Sequence, residues 1–262
     1  MDWVLEFAYR VSIGEFALIV ALIAVAISVI GVLLVIYTIP LQTRMVWNEA
    51  LLGICASIGP LFAIVAGFIA LYCLQNYAEA ARSVQAEAIA ADNLYRGARF
   101  LDQSTGSSIQ QDIGQYIQTV VKIEWPEMKH GQPISLDGEQ VLDHIEKTLE
   151  EFTVTNTKQQ MVLPVLLNNL NDLYNRRADR REAAGASVES EFWAILLLAG
   201  ILTLGMAFLL GMKMPWHLIT TCALAFVIAT VLAMIVEADR PFQGEFAVTH
   251  AAFDRVYDRF ST

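Results

Sequence analysis

The chain has 262 residues, of which 56% are hydrophobic and 17% are charged, and its formal net charge at pH 7 is −10. An acidic chain repels phosphate backbones, so a nucleic-acid partner is not expected. The three cysteines have neither paired nor metal-ligand spacing, which argues against a disulfide framework and a zinc site.

Four long apolar runs form two hairpins around a polar middle. They cover about residues 16–39, 50–74, 192–212 and 216–236. Each has about 20 residues or more with almost no charge, enough for a helix to cross a hydrocarbon core. We therefore predict an all-α membrane protein with four transmembrane helices. Its predicted parts are an N-terminal hairpin (1–75), an inserted cytoplasmic helical domain (76–190), a C-terminal hairpin (191–237) and a cytoplasmic tail (238–262).

Basic residues near the ends of the spans set the orientation. The short loops within the hairpins have one each, Arg44 and Lys213, whereas the middle segment and the tail are richer in arginine. This bias predicts a multi-pass protein of the bacterial inner membrane with both termini in the cytoplasm. Four arginines before span three are interpreted as orientation signals in contact with lipid headgroups: Arg176, Arg177, Arg180 and Arg181.

Span two differs from the other spans in its small residues. Gly59, Ala63 and Gly67 recur every four residues, a spacing that lets another helix approach closely. Pro60 predicts a kink at mid-span. The stripe has two interpretations, which are close packing against another helix and the lining of a transport pathway.

The polar middle is predicted to be helical. Residues 77–102 contain no proline and many good helix formers, so span two should continue as one long helix. A loop rich in Ser, Thr and Gly, residues 103–108, is predicted to end it. Further helices are expected over about 109–123, 138–152 and 157–184, with a break or kink near Pro164 in the last.

The sequence contains no catalytic motif that would indicate an enzyme. The chain has no P-loop, no dinucleotide-binding glycine pattern, no zinc-protease motif and no nucleophile elbow. We expect no cofactor. The spans have almost no ionisable residues, which argues against an ion-coupled transporter but is compatible with a channel.

The densest polar cluster follows span four. Pro241 should end the helix, and carboxylates in its last turn oppose the helix dipole, so they are expected to have partners. Arg82 or Arg96 on the extension of span two are candidates for Asp239, and Glu79 or Glu87 for Arg240. Candidate residues of this interdomain clasp or gating switch are Glu79, Arg82, Glu87, Arg96, Glu237, Asp239, Arg240, Pro241, Phe242 and Glu245. A Ca²⁺ site near Glu237, Asp239 and Glu245 is a further interpretation.

Two short elements carry a resemblance to a known family. One is Tyr116 followed by Glu124-Trp125-Pro126-x-Met128, and the other is Asp239-Arg240-Pro241-Phe242-x-Gly244. With these elements the chain, over about residues 50–253, resembles the bacterial bestrophin-like membrane family, and it is more distantly similar to bestrophin channels. Those channels have two hairpins around a cytoplasmic helical region and assemble as pentamers around a pore lined by the second span.

The resemblance implies a pore lined by span two. Together with the small-residue stripe it gives these candidates: Ile58, Gly59, Pro60, Phe62, Ala63, Gly67 and Phe68. The function expected is a homo-oligomeric, pentameric ion channel whose partners are membrane lipid and inorganic ions. The acidic domain favours cations, whereas the likeness to bestrophins favours anions. The alternative is a non-conducting scaffold or signalling subunit that binds a cytoplasmic partner. A small transporter would need inverted repeats, and the hairpins show none.

Overall fold

The computed structural model describes residues 9 and 11–260, and that part of the chain is mainly helical and contains no strand. The helices are α1 (Ile13–Thr38), α2 (Leu41–Ala98), α3 (Gln103–Thr119), α4 (Trp125–Lys129), α5 (Asp137–Glu150), α6 (Thr157–Gly185), α7 (Ser190–Phe208), α8 (Met214–Ala238) and α9 (Ala251–Phe260). A π-helical turn, Val120–Glu124, joins α3 to α4. The predicted all-α class is confirmed.

The chain divides into two compact units. The first comprises residues 1–75 and 187–240, and the second comprises residues 76–186 and 241–262. Helix α2 contributes its first part to one unit and its second part to the other. Residues 241–262, a separate tail in the sequence-based division, group with the second unit.

Long apolar helices occur along most of the chain. Four stretches of the described residues are long and apolar enough to cross a membrane: Ile13–Thr38, Leu41–Ala98, Thr157–Phe208, which comprises α6 and α7, and Met214–Ala238. Helix α1 begins with a capping box in which Ser12 and Glu15 bond each other's backbone N–H groups, and it ends at Thr38, before Pro40. Phe62, Ala66, Ile69 and Cys73 of α2 belong to the same buried cluster as apolar residues of α7 and α8.

The second unit has its own apolar core. Residues of the second part of α2 and of α3, α5, α6 and α9 form one buried cluster. Helix α9, which was not predicted, buries Phe253 and Val256 and stacks Phe260 on Tyr95 with ring centroids 3.7 Å apart. Its short amphipathic pattern becomes visible only when the core that it covers is known.

A predicted loop at residues 103–108 and a predicted break near Pro164 are wrong. Residues 103–108 form the first turns of α3 because Asp102 caps the helix, with its Oδ2 accepting a bond from the Thr105 N–H at 3.0 Å. Pro164 lies within the continuous helix α6. It is exposed, so the Gln160 carbonyl that loses its helical donor faces water.

The continuation of span two is confirmed. Helix α2 runs without a break through Pro60 and past residue 75 to Ala98, a length of 58 residues. Neither glycine nor proline occurs between residues 77 and 96, so nothing in the local sequence ends the helix there.

Candidate functional site

One face of α2 in the first unit is left uncovered by the residues that the structure describes. Helix α2 buries Phe62, Ala66 and Ile69 on one side. The other side, which we call the outward face, is exposed at Gly53, Ala56, Pro60, Ala63 and Gly67. A Cβ atom added at Gly53 or Gly67 would meet no atom within 4 Å. Among the described residues, the small-residue stripe is therefore not a packing surface.

The seven candidate pore residues do not share one side of α2. Pro60, Ala63, Gly67 and Phe68 are exposed, and Gly59 is partly exposed at the edge of the outward face. Ile58 and Phe62 are each two residues from Pro60, so at 100° per residue they lie on nearly the opposite side of the helix, about 160° away. Phe62 is 8% exposed and lies beside Gly200 of α7. The helix geometry thus separates these two from the others, and Phe62 packs with apolar residues of α7 and α8.

At the N-terminal end of α2, polar contacts fix the loop between α7 and α8. Arg44 is 3% exposed, and it donates to the Leu210 and Ile39 carbonyls, each at 3.2 Å. Asn48 donates to the Gly211 carbonyl at 3.1 Å and accepts from the Gly211 N–H at 2.7 Å. The backbone of this loop is therefore tied to the start of α2.

A buried histidine completes this contact. Arg44 Nη1 lies 3.3 Å from His217 Nδ1, and His217 Nε2 lies 3.1 Å from the Ala207 carbonyl oxygen. A guanidinium only donates, so Nδ1 accepts and Nε2 carries the proton. This pattern requires neutral His217 beside the buried Arg44.

We expect Gly211→Ala to destabilise the first unit. A Cβ atom at Gly211 would lie 2.5 Å from the Met45 backbone nitrogen, so the loop must shift and lose its Asn48 bonds, at a cost of about 1–3 kcal/mol. Thermal unfolding of the purified protein measures the change. Gly205→Ala is the matched control, since its Cβ meets nothing within 4 Å and alanine favours the helix. Equal effects of the two variants would contradict the close contact.

A charge cluster lies in the core of the second unit. Arg180 bonds Glu87 Oε2 through Nε at 2.6 Å and Glu124 Oε2 through Nη2 at 2.6 Å. Arg177 Nη1 donates to both oxygens of Glu124 at 2.6 and 2.8 Å. Tyr116 donates its hydroxyl to Glu87 Oε1 at 2.5 Å. Two carboxylates and two guanidiniums thus balance each other away from water.

The protonation of Tyr116 follows from this setting. Burial, followed by the charge of Glu87, raises the pKa of Tyr116 well above its usual range. The hydroxyl therefore remains a donor at physiological pH. Gly138 adjoins the cluster, and a Cβ atom added there would overlap Glu124 Oε1 and Arg177 Nη1. A larger residue at this position would therefore displace the ion pair.

The two sequence elements behind the family resemblance meet in the second unit. The Trp125 ring contacts Phe242 edge to face, with centroids 5.5 Å apart. Glu124 and Tyr116 belong to the charge cluster, and Met128 Sδ lies 3.4 Å from Arg180 Nη1. Gly244 has φ +78°, a conformation that glycine adopts without strain. The elements therefore serve the core and the turn that closes it.

Two of the arginines interpreted as headgroup contacts are buried. Arg177 is 2% exposed and Arg180 is fully buried, which corrects that interpretation for both. Arg176 and Arg181 remain partly exposed and pair with acidic residues of the second unit. One signal was present in the sequence, because the arginines continue a 4-3-4-3 spacing of buried α6 residues: Leu166, Leu170, Leu173, Arg177 and Arg180.

The other clasp candidates lie in different settings. Glu87 was predicted as a possible partner of Arg240. Instead, Arg180 donates to both of its oxygens and Tyr116 donates to Oε1, which corrects that pairing. Arg82 donates to the Ala78 carbonyl, and Arg96 contacts Asp92 and Asn93. Glu237, Asp239, Pro241 and Phe242 are buried, Arg240 is partly buried, and Glu79 and Glu245 are exposed.

Asp239 has a partner within the first unit. Its Oδ1 accepts a bond from the Val188 N–H at 2.6 Å. Burial raises the pKa of Asp239, and this bond together with the Arg240 charge opposes the rise. The carboxylate thus holds the backbone where α7 is about to begin. Within the described part of the chain, no group of three or more His, Cys, Asp or Glu side chains is arranged to hold a metal ion.

Comparisons with known proteins agree on one family and one fold. The Bestrophin-like domain matches residues 22–253. A crystal structure of a point mutant of a bacterial bestrophin homologue from Klebsiella pneumoniae is similar, with a TM-score of 0.69 and 14% identity over 93% of this chain and 97% of that one. Another structure of the Klebsiella homologue gives 0.68 and 14% over 93% and 96%. A structure described only as a membrane protein gives 0.67 and 14% over 93% and 97%. No curated protein sequence matches the chain.

Proposed function

Because the chain belongs to the bestrophin-like family, we propose that it is a homo-oligomeric ion channel of the bacterial inner membrane, with the outward face of α2 around the pore. Both termini and the second unit are on the cytoplasmic side in this proposal. The oligomer is expected to be a pentamer, from the likeness to bestrophins. The membrane and the permeating inorganic ions are its partners.

The exposed small residues of α2 are the observation that carries the proposal. Glycine, alanine and proline along one face leave space beside a helix, and no atom of the described part of the chain fills that space at Gly53 or Gly67. In an assembly with α2 toward the axis, the same space becomes the conduit. A pore with an apolar wall of this kind conducts ions when it is wide enough to stay filled with water.

The composition of the spans supports a channel over a coupled transporter. Between Leu41 and Gln75, the only residues charged at pH 7 are Arg44 and Glu49, both near the start of α2. A coupled transporter places an ionisable group at mid-depth to bind its coupling ion. An apolar pore needs no such group.

Within the second unit, the second part of α2 is held by a buried ion pair. Glu87 anchors this part of the helix to α6 through Arg180, with both side chains fully buried.

Recording from the purified assembly in planar lipid bilayers tests the proposal. We expect discrete unitary currents in symmetric salt. A complete absence of conductance from correctly assembled protein would contradict the proposal and favour a non-conducting scaffold whose second unit binds a cytoplasmic partner.

A further inference from the structure

We infer that Glu49 sets the charge selectivity of this pore and makes it prefer cations, an inference that rests on the proposed channel function. The register of α2 and the placement of the two charges near its start, Arg44 and Glu49, lead to this assignment.

Glu49 lies on the same face as the small-residue stripe. From residue 49 to residue 60 the helix turns through about 1100°, which is three full turns and about 20°. Gly53 and Gly67 also lie within about 20° of Pro60 by the same count. All four residues are exposed. The Glu49 carboxylate therefore heads the outward face, about 16 Å along the axis from Pro60.

The other charge at this end of α2 points away from the face. Arg44 is buried and bonds the Ile39 and Leu210 carbonyls and His217 Nδ1. Its guanidinium therefore holds the loop between α7 and α8 and does not face the outward side. From Leu41 to Gln75, the outward face is left with one charge, the carboxylate of Glu49.

An assembly with α2 at the axis places one such carboxylate per copy at the mouth. A ring of carboxylates raises the local cation concentration and repels anions before they reach the apolar section. The ligand class is a small inorganic cation. Because the ring is solvated, its effect should shrink as salt shortens the Debye length from about 10 Å at 0.1 M to about 3 Å at 1 M.

Reversal potentials in a potassium chloride gradient test this inference on the purified, reconstituted protein. We expect the wild type to favour potassium, Glu49→Gln to lower the potassium-to-chloride permeability ratio by roughly threefold or more, and Glu49→Lys to favour chloride. Each effect should be larger in dilute salt. Glu191→Gln is the matched control, because it removes an exposed carboxylate from the first turn of α7. Its permeability ratio should equal that of the wild type.

The outcomes separate this inference from the proposed function. A conducting wild type whose selectivity is the same in Glu49→Gln and Glu49→Lys would overturn the inference and leave the channel intact. Equal shifts in Glu49→Gln and Glu191→Gln would also overturn it, since the effect would then follow net charge. A wild type without current would overturn the proposed function and the inference with it.

Discussion

Arg180→Ala is expected to destabilise the second unit by about 3–5 kcal/mol, because it leaves buried carboxylates without their main counter-charge. Arg180 provides the only bridge between Glu87 and Glu124 among the ion pairs of the described residues. After its loss, Arg177 balances one carboxylate, and Glu87 keeps only the hydroxyl of Tyr116. A buried carboxylate with one neutral donor is costly.

The neighbouring residue offers a matched control. Arg181→Ala removes the same side chain one position along α6, but Arg181 is 33% exposed and its partner Glu139 is 44% exposed. Such a pair contributes about 1 kcal/mol or less. Thermal unfolding of the detergent-solubilised assembly should show a fall of roughly 10 °C for Arg180→Ala and little change for Arg181→Ala. Similar midpoints for the two variants would contradict a structural role of the cluster.

Ala63→Phe is expected to abolish or strongly reduce the current without loss of the fold. Ala63 is exposed in the protomer, so a ring there meets no packed core, and every copy would project one into the conduit. A narrowed apolar section loses its water and closes. We expect the unitary current to fall by roughly tenfold or more, measured in planar bilayers.

Ala223→Phe on α8 is the control for this variant. Ala223 is also an exposed alanine of an apolar helix, and in the proposed assembly it lies away from the axis. Size-exclusion chromatography should show the wild-type assembly for both variants. If Ala63→Phe conducts like Ala223→Phe, the outward face does not line the pore.

The continuation of α2 beyond the span could be predicted because the local sequence alone determines it. Between residues 77 and 96 the chain has good helix formers and no breaker, so no tertiary contact is needed to infer continuity. The start of α3 shows the opposite case. A run of Ser, Thr and Gly indicates a loop, yet one side chain, Asp102, was enough to cap a helix there.

The charge cluster was hidden because its members are far apart in sequence. Arg180 lies 93 residues from Glu87 and 56 from Glu124. An arginine is mostly exposed unless it is paired, so without the partners the default interpretation was a surface contact. The 4-3-4-3 spacing that Arg177 and Arg180 share with buried leucines was the one local sign of burial.

The side of α2 that faces outward was only half determined by sequence. Spacing alone groups Gly53, Pro60 and Gly67, but it does not say whether another helix covers them. The space left open beside Gly53 and Gly67 answers this for the described residues, and the packing of α7 and α8 against Phe62 places Phe62 on the opposite, covered side. The resemblance to bestrophins had placed Phe62 near the pore.

An image of the purified assembly down its symmetry axis, by electron cryomicroscopy, tests the central claim most directly. We predict a ring of identical copies with the outward face of α2 at the axis, Glu49 at one mouth, and a continuous water path past Pro60, Ala63 and Gly67. A different helix at the axis, or an α2 face sealed by lipid or by close packing between copies, would contradict the account.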